Sequence, residues 1–395
     1  MTSTDLFLFA RRASSVLVAL ALTSVPALPA AAGDVPVDGF LPAPDQTGFI
    51  ALPSTRTPGP WGVDATLWLD YSLNTLETSS MKLSDPSMAR DGLDYANSPT
   101  PIHQRFDGTA IAQLGIMTRG ALAVRMPFVM VQKGDDVPGK PLAPAAAGNP
   151  AIEGRIRVFG NPVRPDGSVN DGSAVALRGI VQLPVGTSDS YFADNSTRLS
   201  VSAIGDLEMF GIRLGGALGY QHSFDPDRIG DSSLSNMLQL LLGLRVPLPV
   251  IARALPGKLQ ESVMVELDVA TNPTDFFASP TTPVEGRLAY RAVIGDFFVT
   301  LGVGAGFRPA IGSPDLRVLG AFGWSPRKHD QDADGVPDSE DQCEHLPEDR
   351  DGFQDADGCA DDDNDGDLIV DEDDKCPLEP AEIGRDEDED GCTDK

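Results

Sequence analysis

Carboxylates crowd the C-terminal end of this chain at a spacing that suits an oxygen-seeking cation. The run from Asp330 to Cys343 reads DQDADGVPDSEDQC. Counted as a cation-binding loop, it places Asp330, Asp332 and Asp334 at positions 1, 3 and 5, and Gly335 at the sharp turn of position 6. The carbonyl of Val336 serves at position 7, with Asp338 and Asp341 at 9 and 12. Oxygen ligands without histidine or thiolate favour Ca2+ over zinc. A second run, DNDGDLIVDEDDKC from Asp363 to Cys376, follows 33 residues later. Its ligands would be Asp363, Asp365, Asp367, the carbonyl of Ile369, Asp371 and Asp374, but Leu368 stands where the glycine belongs. A left-handed branched residue costs about 1 kcal/mol or more. This second loop is therefore weaker, or shifted one aspartate earlier to Asp361, Asp363 and Asp365 with Gly366 at the turn. Asp349, Asp351, Asp355 and Asp357, and later Asp386, Asp388 and Asp390, repeat the spacing without a full loop and are expected to share ions with their neighbours. Several Ca2+ ions are the expected cofactor.

The cysteines keep the same period. Cys343 and Cys376 are 33 residues apart, as are Cys359 and Cys392, and the chain has no others. An even number in an exported chain points to disulfides, and equal intervals within the repeat select Cys343–Cys359 and Cys376–Cys392 from the three possible connectivities. Residues 329–395 carry −25 of the formal net charge of −29. A plain acidic run is usually solvated and disordered, but random runs do not hold a 33-residue period with matched cysteines. So acidic a chain, with no basic patch interleaved with aromatics, is not expected to bind nucleic acid.

The elements that must carry this tail read as exported β-structure. Arg11 and Arg12 precede an apolar run from Ala13 to Leu22, and Ala30, Ala31 and Ala32 precede Gly33. This is the layout of a signal peptide over 1–32, cleaved after Ala32, and the run is too short to span a bilayer as a helix. Period two follows. Val63, Ala65, Leu67, Leu69, Tyr71 and Leu73 alternate with Asp64, Thr66, Asp70, Ser72 and Asn74. Similar alternation recurs in segments centred near 68, 112, 126, 156, 179, 202, 216, 242, 264, 289, 302 and 319, each roughly ten residues long, as a tilted membrane strand requires.

The links between these segments alternate in length. Long polar links run from 78 to 104, 133 to 150, 185 to 196, 224 to 235 and 271 to 282, while tight turns are expected around Arg119, Glu208 and Gly295. The links over 161–172 and 249–257 are of medium length. This parity, with full charges on one face, points to an all-β, antiparallel transmembrane barrel of about twelve strands rather than a soluble sandwich. The charged face holds Arg155, Arg157, Arg178, Arg198, Arg213, Arg245, Arg287, Arg291 and Arg317 against Asp64, Asp70, Glu153, Asp206, Glu266, Asp268 and Glu285. In a narrow lumen these fill the bore by pairing, whereas a wide one leaves a water path. The expected organisation is a lead-in over 33–61, the barrel over 62–325 and the calcium-binding, disulfide-linked repeats over 326–395. An even strand number puts the tail in the periplasm.

Residues 327–395 resemble thrombospondin type 3 repeats. The whole layout, with LPVGTSDSYFADN from Leu183 to Asn195 and GALGYQ from Gly216 to Gln221, is similar to OmpA-family outer-membrane proteins of myxobacteria and their relatives. The resemblance implies an outer-membrane location in contact with lipid and a calcium-stiffened periplasmic spacer with an envelope-linking role. It also implies peptidoglycan as a partner, through a C-terminal domain that would follow Lys395, or another envelope protein. The alternatives are a pore or transport protein, and a component of calcium-dependent adhesion or outer-membrane exchange. Enzymatic activity is not expected. The four histidines are His103, His222, His329 and His345, and the adjacent His222 and Ser223 point to opposite faces of a strand.

Overall fold

The computed structural model describes residues 39–76, 102–135, 142–163, 172–187, 190–193, 195–224, 228–229, 232–233, 236–248, 259–277, 281–308, 310–326, 336, 341–343, 345–349, 351–381, 385 and 390–393. The signal-peptide reading lies outside them, as do Asp330, Asp332, Asp334, Asp338, Asp386 and Asp388.

Twelve long strands among the described residues form the body. They are β1 (Val63–Leu76), β2 (Ile102–Ile116), β3 (Gly120–Lys133), β4 (Ala151–Phe159), β5 (Ser173–Gln182) and β6 (Arg198–Met209). The ring continues with β7 (Ile212–Ser223), β8 (Asn236–Pro247), β9 (Gln260–Thr271), β10 (Val284–Ile294), β11 (Phe297–Gly306) and β12 (Leu316–Trp324). Each pairs antiparallel with the next, and β12 returns to β1 in register from Ala65 opposite Trp324 to Leu73 opposite Leu316. The sheet is thereby closed and has no free edge, the condition for β-structure in hydrocarbon. Every strand centre expected from the alternation falls inside an observed strand.

Alternation decides which side chains face out. Along β5, Ala174, Ala176, Arg178 and Ile180 are buried, while Val175, Leu177 and Val181 are exposed. Outward positions elsewhere include Leu122, Ile156, Leu218, Val265, Leu288 and Leu301, all strongly exposed. Aromatic rings collect at both rims. Trp61, Phe210, Phe297 and Trp324 stand at the end with the tight turns, and Phe224, Phe276, Phe277 and Phe307 at the end with the long loops. An apolar band between two aromatic girdles is the surface a bilayer selects.

The turns follow the expected parity with one shift. The β6–β7 turn is Phe210–Gly211, with both residues left-handed at φ 54° and 76°. This is the hairpin geometry that matches strand twist. Glu208, expected at the turn, continues β6, and Phe210, expected to open the next strand, leaves the ladder with its ring 98% exposed. The misplacement arises because a two-residue turn interrupts the period too briefly to show in hydropathy.

Leu218 is 62% exposed at the middle of β7. Leu218→Arg is expected to lower unfolding free energy by about 2–4 kcal/mol in phospholipid vesicles. Urea titration measures this, and an unchanged midpoint would contradict a lipid-facing position.

Candidate functional site

The segment 39–58, expected to be a simple lead-in, lies inside the barrel. It contains Pro42, Pro44, Pro53 and Pro58, each lacking the N–H that a ladder needs, so it joins no strand. Phe49, Ile50 and Leu52 are completely buried. A folded-back turn is closed by the bonds from Ala43 N to Ile50 O (2.7 Å) and from Phe49 N to Leu52 O (2.9 Å). The remaining backbone groups need partners from the wall, because an unmet buried polar group costs about 1–3 kcal/mol.

Those partners come from inward-pointing side chains of distant strands. The Glu266 carboxylate accepts the backbone N–H groups of Ile50 (3.1 Å), Ala51 (2.9 Å) and Leu52 (2.8 Å), and also Arg287 Nη1 (2.9 Å). Five arginines serve the plug's carbonyls, Arg125 among them through Pro42 O. Arg291 donates to Gln46 O (2.8 Å), Gly48 O (2.6 Å) and Phe49 O (2.8 Å), Arg245 to Gln46 O (3.1 Å), and Arg213 to Thr47 O (2.6 Å). Arg155 bonds Ser54 O (2.8 Å) and pairs with Asp45 (3.0 Å). Towards the turn end, Asp206 accepts Ser54 Oγ, Thr55 N and Thr55 Oγ1, and Arg56 pairs with Glu208 at 2.7 Å. Trp68 Nε1 donates to Ala43 O at 3.0 Å, and Phe40 lies under the guanidiniums of Arg287 and Arg317, each 4.9 Å from its ring.

The expected charged face does point inward, and it pairs extensively. Arg287 binds Glu266, Asp268 and Glu285, Arg317 binds Glu285 and Asp70, and Glu153 takes both Arg125 and Arg178. Arg105, Arg125 and Asp107 belong to the same face, though their strands alternate too irregularly for the sequence to mark them. The face also has an apolar layer that strict alternation does not foretell. Trp68, Ile111, Ile204, Leu241, Met264 and Leu319 pack with Phe49, Ile50 and Leu52. Gly215 and Gly243, cross-strand partners, form the seat of Phe49, since a Cβ on either would approach its ring to 2.5 Å or 2.8 Å.

The tail repeats its geometry as well as its sequence. Disulfides join Cys343 to Cys359 and Cys376 to Cys392, with Cα–Cα distances of 5.1 and 5.3 Å. Asp341 accepts Cys343 N as Asp374 accepts Cys376 N, and Gln342 N donates to Asp357 O as Lys375 N donates to Asp390 O. Gly358 and Gly391 are left-handed, and a Cβ on either would strike the Asp341 or Asp374 carboxylate.

Carboxylate oxygens of Asp363, Asp365 and Asp367 lie within 4.8 Å of one another, a group that can hold a cation. The turn positions of both frames are left-handed, Gly366 and Leu368 each at φ 78°. Asp374 is 9% exposed, and buried oxygens of Asp365, Asp371 and Asp374 have no hydrogen-bond donor. Orphaned buried carboxylate oxygens fit an oxygen-preferring divalent ion. Partial burial, with Asp367, Asp374 and Asp363 close by, holds the Asp365 carboxyl above the usual aspartate range. Asp361 stands apart from this trio. It accepts Gln354 Nε2 at 3.3 Å, and partial burial with Asp357, Asp349 and Asp351 nearby raises its carboxyl too. Asp355 accepts Gly352 N, and Val336 and Asp341 are the parts of the first loop that lie among the described residues, both buried.

No protein-family description and no curated protein sequence matches this chain. Among solved structures, an outer membrane channel from Pseudomonas putida F1 aligns with 69% of this chain and 98% of its own, at 9% identity and a TM-score of 0.46. A KdgM porin aligns over 66% and 98%, at 7% identity and a TM-score of 0.37. A NanC porin aligns over 67% and 99%, at 8% identity and the same TM-score.

Two outcomes are expected from these sites. Glu266→Gln removes the charge that holds three plug N–H groups, and Gly243→Val crowds Phe49. Either should free Trp68, now 1% exposed, to acrylamide quenching while far-ultraviolet circular dichroism stays that of the intact barrel. Unchanged quenching in both would mean that these contacts do not hold the plug. In the tail, Asp363→Asn with Asp365→Asn should weaken Ca2+ binding by about tenfold or more at one site, as ligand charge is lost. Calorimetric titration of the full chain reads this, and an unaltered isotherm would remove the trio from the ligand set.

Proposed function

We propose that this protein is an outer-membrane pore whose bore is closed by its own N-terminal segment, with the turn end and the tail in the periplasm. The observation that carries the reading is the independence of wall and stopper. The twelve-strand ring satisfies its own backbone through its ladder, while the segment in its bore is met by wall side chains such as Glu266, Arg291 and Asp206. A barrel serving only as an anchor has no need of a bore wide enough for a folded-back peptide, since fewer strands can be filled by their own side chains. Small inward residues such as Ala123, Ala176, Ala217, Ala289 and Ala321, with Gly215 and Gly243, give the bore that width.

The tail supports a second role alongside the first. A 33-residue repeat of carboxylates and disulfides, with orphaned acidic oxygens, is suited to be ordered by Ca2+ into a stiff periplasmic spacer. The resemblance to thrombospondin type 3 repeats supports the same reading.

Planar-bilayer recording tests the pore. The full chain should be silent or open rarely, and a variant lacking residues 40–56 should give steady single-channel steps. A deletion variant that folds to a barrel, as judged by circular dichroism and heat-modifiable mobility, yet passes no current would overturn this function.

A further inference from the structure

We infer that the open bore selects small organic carboxylates, through an arginine station on its inner wall that the plug now occupies; this rests on the pore reading above. Arg291 and Arg245 are the key residues. Their partners are backbone carbonyls of Gln46, Gly48 and Phe49 and the hydroxyls of Thr300 and Ser262, with no carboxylate at ion-pairing distance among the described residues. A buried guanidinium ordinarily has a carboxylate partner. Here the peptide oxygens of residues 46–49 stand where an anion's oxygens would.

Withdrawal of the plug changes the charge pattern of the wall groups it touches in a definite direction. Arg125 keeps Glu153, Arg213 keeps Glu208, and Glu266 keeps Arg287. Arg155 loses Asp45, which belongs to the plug, and Arg245 and Arg291 have no carboxylate to keep. On the acidic side, Asp206 loses Ser54 and Thr55 and has no arginine at hydrogen-bonding distance among the described residues. Arg157 also loses Thr55 and keeps Asn161 O. The guanidiniums of Arg155, Arg245 and Arg291 against the carboxylate of Asp206 make the emptied bore cationic, and a low-dielectric wall focuses that field on permeant ions.

The loop-end approach has matching chemistry. Above the plug a cavity of about 150 Å3 is bounded by Arg178, Arg198, Gln221 and Gln239 together with Phe192 and Met237, and no carboxylate among the described residues lines it. Arg178 also reaches Glu153 below it, at 3.0 Å. That volume accepts a solute of about five waters' bulk. A lining that combines guanidiniums and carboxamides with the apolar side chains of Phe192 and Met237 suits a carboxylate on a short apolar body.

The test uses the variant lacking 40–56 in planar bilayers under a tenfold KCl gradient, with chloride or pentanoate as the anion. The reversal potential should report anions permeating over K+ by about threefold or more, and pentanoate should carry current that saturates with concentration. Adding Arg245→Gln and Arg291→Gln should bring the anion-to-cation ratio close to one without loss of conductance. Conductance with no anion preference, or a preference that the double substitution leaves intact, overturns the inference while leaving the pore reading standing. Absence of conductance in a folded deletion variant overturns both.

Discussion

Everything inside this barrel depends on one constraint: a proline-rich peptide is buried in the lumen, and its polar backbone has no ladder to join. Prolines at 42, 44, 53 and 58 rule out strand pairing for the segment. Its N–H and C=O groups must therefore be met by the wall. Glu266 gathers three consecutive N–H groups into one carboxylate, and Arg291 gathers three carbonyls into one guanidinium. Charge-assisted bonds of this kind are stronger than neutral ones and offset part of the cost of drying both partners.

The same constraint explains the wall's composition. Most lumenal charges lie beside an opposite charge, so acids and arginines form linked sets such as Arg287 with Glu266, Asp268 and Glu285, while Arg245 and Arg291 are met by the plug's carbonyls instead. Between those sets lies an apolar layer shaped to the plug. Glycines 215 and 243 are the clearest case, since their missing side chains are the space that Phe49 fills. The barrel is consequently a wide bore made tight by an insert, unlike a narrow barrel made tight by its own residues.

The tail meets a different shortage. It has few apolar side chains and strong self-repulsion, so burial cannot offset the ordering cost of about 1–2 kcal/mol per residue. What order it has comes from covalent bridges, Asx-type bonds and left-handed glycines repeated at the 33-residue period. Asp365, Asp371 and Asp374 keep buried oxygens that no donor meets, which is where a divalent ion would complete the fold.

The sequence by itself determined the strands, the closure of an even-numbered antiparallel sheet, the loop parity and both disulfide pairs. Each of these is encoded by local period or by equal covalent spacing, and survives without knowledge of what packs against it. It also marked the carboxylate trio Asp363, Asp365 and Asp367, leaving open only which frame the turn would take. Both turn positions, Gly366 and Leu368, take a left-handed backbone, which depends on the whole loop around them. Only tertiary structure revealed the plug. Residues 39–58 have no period to read, and their partners are remote, with Gln46 and Arg291 245 residues apart. A carbonyl held by a distant guanidinium leaves no local signature, so the use of Arg245 and Arg291 could be known only once the wall had closed around the segment it holds.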